Sequence, residues 1–456
     1  TRPARGELYY IESLLVVMPD LQADLCSDML SLTQVLLQLL RSVFHAFLRL
    51  LSPAPLTDAP LPEPHAAVVL VPGLMNHGGR TVRLAATLRK RGLDVHATRL
   101  GPVSSSHDRA CELFYALKGG RVDYGAERAA RFGHARFGPI HVTGSLPCWD
   151  AERPIILLTH SQGAGTALAL QRLLAEGHFG PEHATSADWI EAIVCVAAPL
   201  NGAASVLGPP WYVPPPSRSK DGSITSQFCG PWTSAVGVLV TLGYILHVLV
   251  GWSALVRRWV WDWRLDHWQL TARDLPALVL QRHRILHTTN SALHEVTPAG
   301  AAARNAAIQM HPQTFYVTQP GQITRGRDAL PLHTASPLHV AFGALHAWLA
   351  RTEAERHTDG LVPVFSQRFP AGHPHCHAPQ LSLSHRGGGA ADGCGNLRRG
   401  VWCHADAAPL DHSASAMFEG GAMFEHVMRV VLPALAAQAK AEGAERGRES
   451  LEAERG

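Results

Sequence analysis

The chain has 456 residues, 46% hydrophobic and 17% charged, a composition typical of a globular protein with a large buried core. Its 40 Lys and Arg residues nearly balance 37 Asp and Glu residues, and the formal net charge is +3. This balance argues against nucleic acid as a partner, because such binding requires an excess of basic surface.

The N-terminal part is predicted to precede the main domain. Polar residues recur three to four positions apart between Ser27 and Ser52, which predicts a mostly apolar helix with a narrow polar stripe within an N-terminal segment, 1–51. Its apolar face requires a partner: the protein's own core, a membrane surface or a bilayer. The Pro-rich residues 52–65 are interpreted as a linker. Because the chain begins at Thr1, we expect a fragment or a processed product, so localisation stays open, with membrane-associated, secretory and organellar locations as the candidates.

Buried strands and helices are predicted to alternate through the main domain, 66–436. Residues 66–73, 154–160 and 190–199 are apolar runs rich in branched side chains, as buried parallel strands are. Residues 79–91 and 163–176 have helical patterns. The order predicts an α/β fold in which helices cover both faces of a mostly parallel sheet.

Three further segments have unusual compositions. Residues 234–256 contain no Asp, Glu, Lys or Arg, so on hydropathy alone they could form a transmembrane helix. The cluster GHPHCHAP at 372–379 is interpreted as a loop, because no second ligand pair accompanies it at zinc-finger spacing. Residues 437–456 form a charged tail that we expect to be frayed or solvated.

The eight cysteines form no CxxC pair and leave the redox state open.

The stretch LLTHSQGAG places Ser161 between a predicted strand and a predicted helix. A serine nucleophile of an α/β-hydrolase occupies such a turn, although the pattern T-H-S-Q-G is a weak form of G-x-S-x-G. An oxyanion hole would then use the backbone N–H groups of Gln162 and of Leu74, which follows the first strand. The alternative is an ordinary loop serine beside glycine.

A serine nucleophile requires a histidine base and a carboxylate that orients it, and in this fold both follow the serine. Asp359 in TDGLVPV is the best acid, with an ordinary turn aspartate as the alternative. His412 in PLDHSASA follows it in the expected order. The competing histidines are His404, His385 and the group His373, His375 and His377.

Residues 104–138, which begin SSSHDRACELFYALKGGRVDYG, closely resemble a block in the lipases of staphylococci and thermophilic bacilli, and still more in their plant homologues. VLVPG, LLTHSQG, AAPLNG, LDHW, TDGLVPV and GVWCHADAAPLDH follow in the family's order between about residues 66 and 424. The resemblance implies an α/β-hydrolase fold and a serine esterase or lipase that uses Ser161, Asp359 and His412, with Leu74 and Gln162 at the oxyanion hole. It implies no cofactor for the chemistry.

The same resemblance implies a structural zinc held by two aspartates and two histidines. Asp108, His134 and Asp266 match three of these positions, but Arg128 occupies the fourth, and a guanidinium has no lone pair for a metal. We therefore expect ion pairs rather than zinc, with Glu127 as a poor substitute ligand. Calcium is not expected, because Ala414 replaces the family's glutamate.

The resemblance also places residues 205–265 in the family's lid region, which covers the active site and moves at an oil–water interface. We therefore favour a lid over a membrane span for residues 234–256. The implied partners are a lipid ester and a lipid–water interface or membrane surface. An acyltransferase using the same triad and a noncatalytic, membrane-associated scaffold remain alternatives.

Overall fold

A computed structural model of the chain describes residues 60–76, 78–203, 217–218, 224–226, 235–251, 253, 262–280, 282–324, 352–383, 397–412 and 421–453. The predicted N-terminal helix, most of the linker, much of the predicted lid region, His385 and Ala414 lie outside these residues.

Eleven strands occur among the described residues. They are β1 (Val68–Val71), β2 (Val95–Ala97), β3 (Gly120–Asp123), β4 (Phe137–His141), β5 (Ile155–His160), β6 (Ile190–Val196), β7 (Ser217–Arg218), β8 (Ile224–Ser226), β9 (Phe315–Gln319), β10 (His375–His377) and β11 (Trp402–His404). Seven of them form one sheet in the order β10-β11-β9-β6-β5-β1-β2, and all its pairs are parallel. The pairs β3–β4 and β7–β8 are antiparallel and separate from it.

The described helices connect and cover these strands. They are α1 (Gly79–Lys90), α2 (Ser106–Lys118), α3 (Ala126–Phe132), α4 (Gly163–Ala175), α5 (Ala235–Val250), α6 (Leu275–Val279), α7 (Ala292–Glu295), α8 (Pro298–Ala307), α9 (Glu353–Arg356), α10 (Val364–Arg368), α11 (Ala422–His426) and α12 (Leu432–Ala453). A π-helical turn, Val427–Val431, joins α11 to α12. Short 3₁₀ turns occur at Ala187–Trp189, Asp266–Trp268, Ala272–Asp274, Arg284–Leu286 and Pro379–Leu381.

Both faces of the central sheet are buried. In β1, Val68 and Leu70 belong to one hydrophobic cluster, whereas Val69 and Val71 belong to a second cluster on the opposite face. The first cluster includes α1 and the C-terminal helices, and the second includes α2 and α4. Successive side chains of a strand point to opposite faces, so a strand that is covered on both sides reads as a continuous apolar run. The predicted parallel sheet with helices on both faces is confirmed.

Two local predictions differ from the structure. Residues 372–379 are not wholly loop, because β10 pairs with β11 at the edge of the sheet, where Cys376 lies opposite Cys403. The tail predicted over 437–456 is helical as far as Ala453. Its Ala, Glu and Lys residues favour helix, and the helix continues from the buried residues around Leu435.

The apolar segment 234–256 contains the 16-residue helix α5. Among the described residues, no helix has both the length and the apolarity to cross a membrane.

Candidate active site

Ser161 lies on a sharp turn between β5 and α4. Its φ angle is +54°, in the left-handed region that non-glycine residues rarely adopt. Two glycines leave room for this turn: a Cβ on Gly163 would lie 2.6 Å from the Val71 carbonyl oxygen, and one on Gly73 would lie 2.8 Å from Ser161 Cβ. The Ser161 N–H donates to the Val196 carbonyl at 2.9 Å, which ties the turn to the neighbouring strand. The serine is thus held in a position that the sheet imposes.

The structure brings the three predicted triad side chains together. His412 Nε2 lies 2.9 Å from Ser161 Oγ, and His412 Nδ1 lies 2.7 Å from Asp359 Oδ2. The other oxygen of Asp359 accepts the N–H groups of Leu361 and Val362 at 2.9 and 2.8 Å. A carboxylate held in this way accepts the Nδ1 proton, so Nε2 keeps a lone pair for the serine hydroxyl.

Two contacts further position the histidine. The His412 N–H donates to the Asp359 carbonyl at 2.9 Å, and His160 Nε2 donates to the His412 carbonyl, also at 2.9 Å. Two of the competing histidines have other partners: His377 contacts Asp406 at 2.8 Å, and His373 contacts the Asn305 carbonyl at 2.9 Å.

The predicted oxyanion-hole donors occupy two loops beside Ser161. Gln162 directly precedes α4, and Leu74 follows β1. Within the described residues, neither backbone N–H donates to another protein group. Both are therefore free to donate to a substrate oxygen, as an oxyanion hole requires.

The loop that carries Leu74 is held by Arg109, a residue that the sequence did not single out. The guanidinium is fully buried and donates to the Pro72 carbonyl, to the Gly101 carbonyl at 2.8 Å and to Thr166 Oγ1 at 2.9 Å. Arg109 thus connects the β1 loop to α4, the two elements that present the proposed donors.

Glu295 is a second contributor that the sequence does not single out. It accepts from Ser106 Oγ at 2.5 Å and lies 3.4 Å from Gln162 Nε2. Burial raises the pKa of this carboxyl, although its hydrogen bonds to Ser106 oppose the shift. The carboxyl orients the side chain of the proposed oxyanion-hole residue, and it is separated from that residue by more than a hundred positions, so no local pattern could indicate it.

Comparisons with known proteins find similarity to lipases. A family model described as "Lipase-like, C-terminal domain" matches residues 69–184. A lipase of Staphylococcus epidermidis is 26% identical over 328 residues, 66% of this chain and 43% of that protein. The lipase of Staphylococcus hyicus is 26% identical over 336 residues, 68% of this chain and 47% of that protein. The chain is similar in sequence to these staphylococcal lipases. It spans less than half the length of these curated relatives.

Comparison with solved structures shows the fold. Staphylococcus hyicus lipase aligns with a TM-score of 0.58 at 20% identity, covering 86% of this chain and 99% of that one. EstA from Clostridium botulinum gives the same TM-score and identity, with coverages of 82% and 90%. The predicted α/β-hydrolase fold is confirmed.

Residues that the resemblance places at a zinc site take part in a polar network. Asp108 is completely buried; its Oδ1 lies 3.4 Å from Arg128 Nε, and its Oδ2 accepts from Asn290 Nδ2 at 3.0 Å. Asn290 Nδ2 also lies 3.3 Å from His134 Nε2. Two N–H donors therefore face the carboxylate and imidazole that would bind zinc. This donor set does not fit a metal.

The prediction that Asp266 joins this cluster differs from the structure. Asp266 is exposed, and its neighbour His267 is buried with Nε2 3.6 Å from Asp108 Oδ2. In the tight turn Asp266–Trp268, adjacent side chains point in different directions, so a shift of one residue selects the histidine. Burial alone would raise the pKa of Asp108, but His267 and Arg128 outweigh it and hold that pKa below its usual range.

Arg128→Met is expected to lower the free energy of unfolding by about 3 kcal/mol at pH 7, because it removes a cation from beside the buried Asp108 carboxylate. The pKa of Asp108 is lower in the folded protein than in the unfolded chain, where it is near 3.8. The Asp108 carboxylate therefore stabilises the fold above about pH 3.8, and this stabilisation is lost as pH falls. The difference between variant and wild type should therefore shrink as pH falls below about 4.

Urea unfolding at pH 7 and at pH 3 measures this effect. Arg136→Met is the matched control, because Arg136 pairs with Asp123 at 2.6 Å on the surface and should give a much smaller loss. Equal losses in the two variants would contradict the ion-pair role of Arg128.

A third hydrophobic cluster lies beside the β1 loop. It contains Val240 and Tyr244 of α5 together with Trp263, and Leu74 and Met75 pack against it. Leu242, Leu246 and Leu249 on α5 are 48%, 43% and 53% exposed. The helix thus has one face packed at the site and an exposed stripe of leucines.

Proposed function

We propose that the chain is a carboxylic ester hydrolase that acts on lipid esters through an acyl-enzyme. The observation that carries this proposal is the continuous contact from Ser161 Oγ through His412 to Asp359, with distances of 2.9 and 2.7 Å. This is the arrangement that converts a serine hydroxyl into a nucleophile.

In the proposed reaction, His412 Nε2 takes the proton of Ser161 as Oγ attacks the ester carbonyl. The N–H groups of Leu74 and Gln162 donate to the oxyanion that forms. His412 then gives the proton to the departing alcohol, and the acyl group remains on Ser161. Water attacks this acyl-enzyme with His412 again as base, which releases the acid and restores the serine. The chemistry uses side chains, backbone N–H groups and water.

A lipid substrate is supported by two observations. The curated relatives are named lipases, and α5 carries exposed leucines next to the oxyanion loop. We propose that residues 205–265 form an inserted lid, of which α5 is part, within a hydrolase domain over 66–436. Apolar surface at the mouth of a site suits binding to a lipid–water interface.

The ELFYALKGG wording supports assignment to a branch of the family shared with plant homologues.

The proposed function is tested by hydrolysis of medium- and long-chain ester emulsions together with labelling by an alkyl phosphonate. We expect release of fatty acid from the emulsions and one covalent label on Ser161, found by peptide mass spectrometry and absent from Ser161→Ala. Folded wild-type protein that is neither labelled nor active would favour the noncatalytic scaffold.

The acyltransferase alternative is separated by adding an alcohol to the same assay. Hydrolysis is supported if free acid remains the main product at alcohol concentrations far below that of water. An alkyl ester as the main product would identify the chain as an acyltransferase with the same triad.

A further inference from the structure

A second group of chemically reactive side chains lies next to the polar network around Asp108 and Arg128. It consists of His107 and Cys111, one helical turn apart on α2, and His178, which follows α4. One ligand atom from each residue lies within 4.8 Å of those of the other two. The three residues have no role in the proposed hydrolysis.

The spacing is close to that of ligands on one zinc ion. Zinc–nitrogen distances of about 2.0–2.1 Å and a zinc–sulfur distance of about 2.3 Å place tetrahedral ligand atoms roughly 3.3–3.8 Å apart. Cys111 Sγ already lies 3.8 Å from His178 Nε2. His178 is only partly buried, so a small movement of its side chain can close the remaining gap.

His107 supplies the observation that points to a ligand. Its side chain is only 7% exposed, and Nε2 lies 2.9 Å from the Tyr124 carbonyl oxygen. A carbonyl only accepts, so Nε2 carries the proton and Nδ1 has the lone pair. Within the described residues, buried Nδ1 has no hydrogen-bond partner. Metal-binding histidines commonly donate their second N–H to a carbonyl in this way.

We propose that His107 Nδ1, the Cys111 thiolate and His178 Nε2 bind one zinc ion, with water as the fourth ligand. Two imidazoles and a thiolate are the nitrogen and sulfur ligands that zinc prefers. Binding replaces the S–H bond of Cys111 by a Zn–S bond, and the proton leaves to solvent. The ion connects α2 to the segment after α4, and its ligands differ from the residues at the family's zinc positions.

Cobalt titration of the chelator-treated full chain tests the site, because a thiolate bound to Co²⁺ gives a charge-transfer absorption in the near ultraviolet. We expect one equivalent to produce this absorption and Zn²⁺ to displace it. Cys111→Ser should abolish the absorption, and His178→Ala should weaken binding by at least about tenfold, since loss of even an outer contact to a ligand costs about 10–100-fold.

Three control variants locate the ion. Cys195→Ser removes another buried thiol, His183→Ala removes another partly buried histidine, and Asp108→Asn alters the neighbouring polar network. All three should keep the absorption. Absence of binding would overturn the proposal, and so would binding that lacks the thiolate absorption and disappears in Asp108→Asn.

Thermal unfolding with and without Zn²⁺ tests the site without a substitution at the buried Cys111. Zn²⁺ should raise the Tm of the wild type and of His183→Ala but not that of His178→Ala. If Cys111→Ser does not fold, the His178→Ala result decides, and an equal Tm increase in all three proteins overturns the proposal.

Discussion

His412→Ala is expected to lower kcat for ester hydrolysis by roughly 10⁴- to 10⁶-fold, the range found when a triad histidine is removed from serine hydrolases. His412 is the group that contacts Ser161 Oγ and can take its proton, and without it the hydroxyl is a poor nucleophile. The fold should persist, because His412 is a small part of the core and its Asp359 partner keeps the hydrogen bonds from Leu361 and Val362.

A double variant gives the sharper result. Because Ser161 and His412 act on one proton, Ser161→Ala should cost about as much as His412→Ala, and the double variant should be no slower than either. Initial rates on a soluble short-chain ester measure all three. His377→Ala, at an exposed competing histidine on β10, should retain wild-type kcat. Multiplicative losses in the double variant, or inactivity of His377→Ala, would contradict the assignment.

Arg109→Met is expected to lower the free energy of unfolding by about 3 kcal/mol or more, since each buried carbonyl left without a donor costs about 1–3 kcal/mol. Burial lowers the pKa of Arg109 to about 10, so the side chain is still protonated at pH 7. Its loss leaves the Pro72 and Gly101 carbonyls without the donor that now joins them. Urea unfolding measures the loss, with Arg153→Met, an exposed arginine, as the control.

The variant Arg109→Lys distinguishes a role of Arg109 in positioning Leu74 from a role in the stability of the fold. Lysine keeps the charge, but its single ammonium cannot reproduce the planar set of donors that joins the β1 loop to α4. If Arg109 positions Leu74, the folded variant should lose about 100-fold in kcat, comparable to the loss of one oxyanion-hole donor, with little change in KM. Wild-type kcat in folded Arg109→Lys would show that the arginine serves stability alone.

The central sheet could be predicted because its strands are covered on both faces. In β1, β5 and β6 nearly every side chain is buried, so the sequence shows continuous branched apolar runs that end at turn residues. The edge strand β10 carries no such signal, because its two histidines are exposed and its pairing comes from backbone groups. Local composition alone therefore indicated a loop.

The candidate site was predictable to different degrees at different residues. Ser161 is marked by a strand, a turn and a helix in succession, whereas His412 is one of 27 histidines and depended on the family resemblance. Arg109 and Glu295 have no local signal, because their partners come from distant segments. Asp266 shows a further limit: a ligand position inferred from a motif can shift by one residue when a turn decides which side chain faces inward.

The left-handed backbone at Ser161 limits which residues suit this position. A non-glycine residue in such a conformation costs on the order of 1–3 kcal/mol, and the surrounding sheet maintains it. This cost arises from the backbone conformation and is about the same for serine, alanine or cysteine. Replacement of serine by cysteine would therefore place the new side chain at the same position without a change in the turn. Glycine adopts this conformation without strain, but glycine has no side chain to react. Stability alone would therefore favour an inert residue at this position, so the strained serine is explained by what its hydroxyl can do.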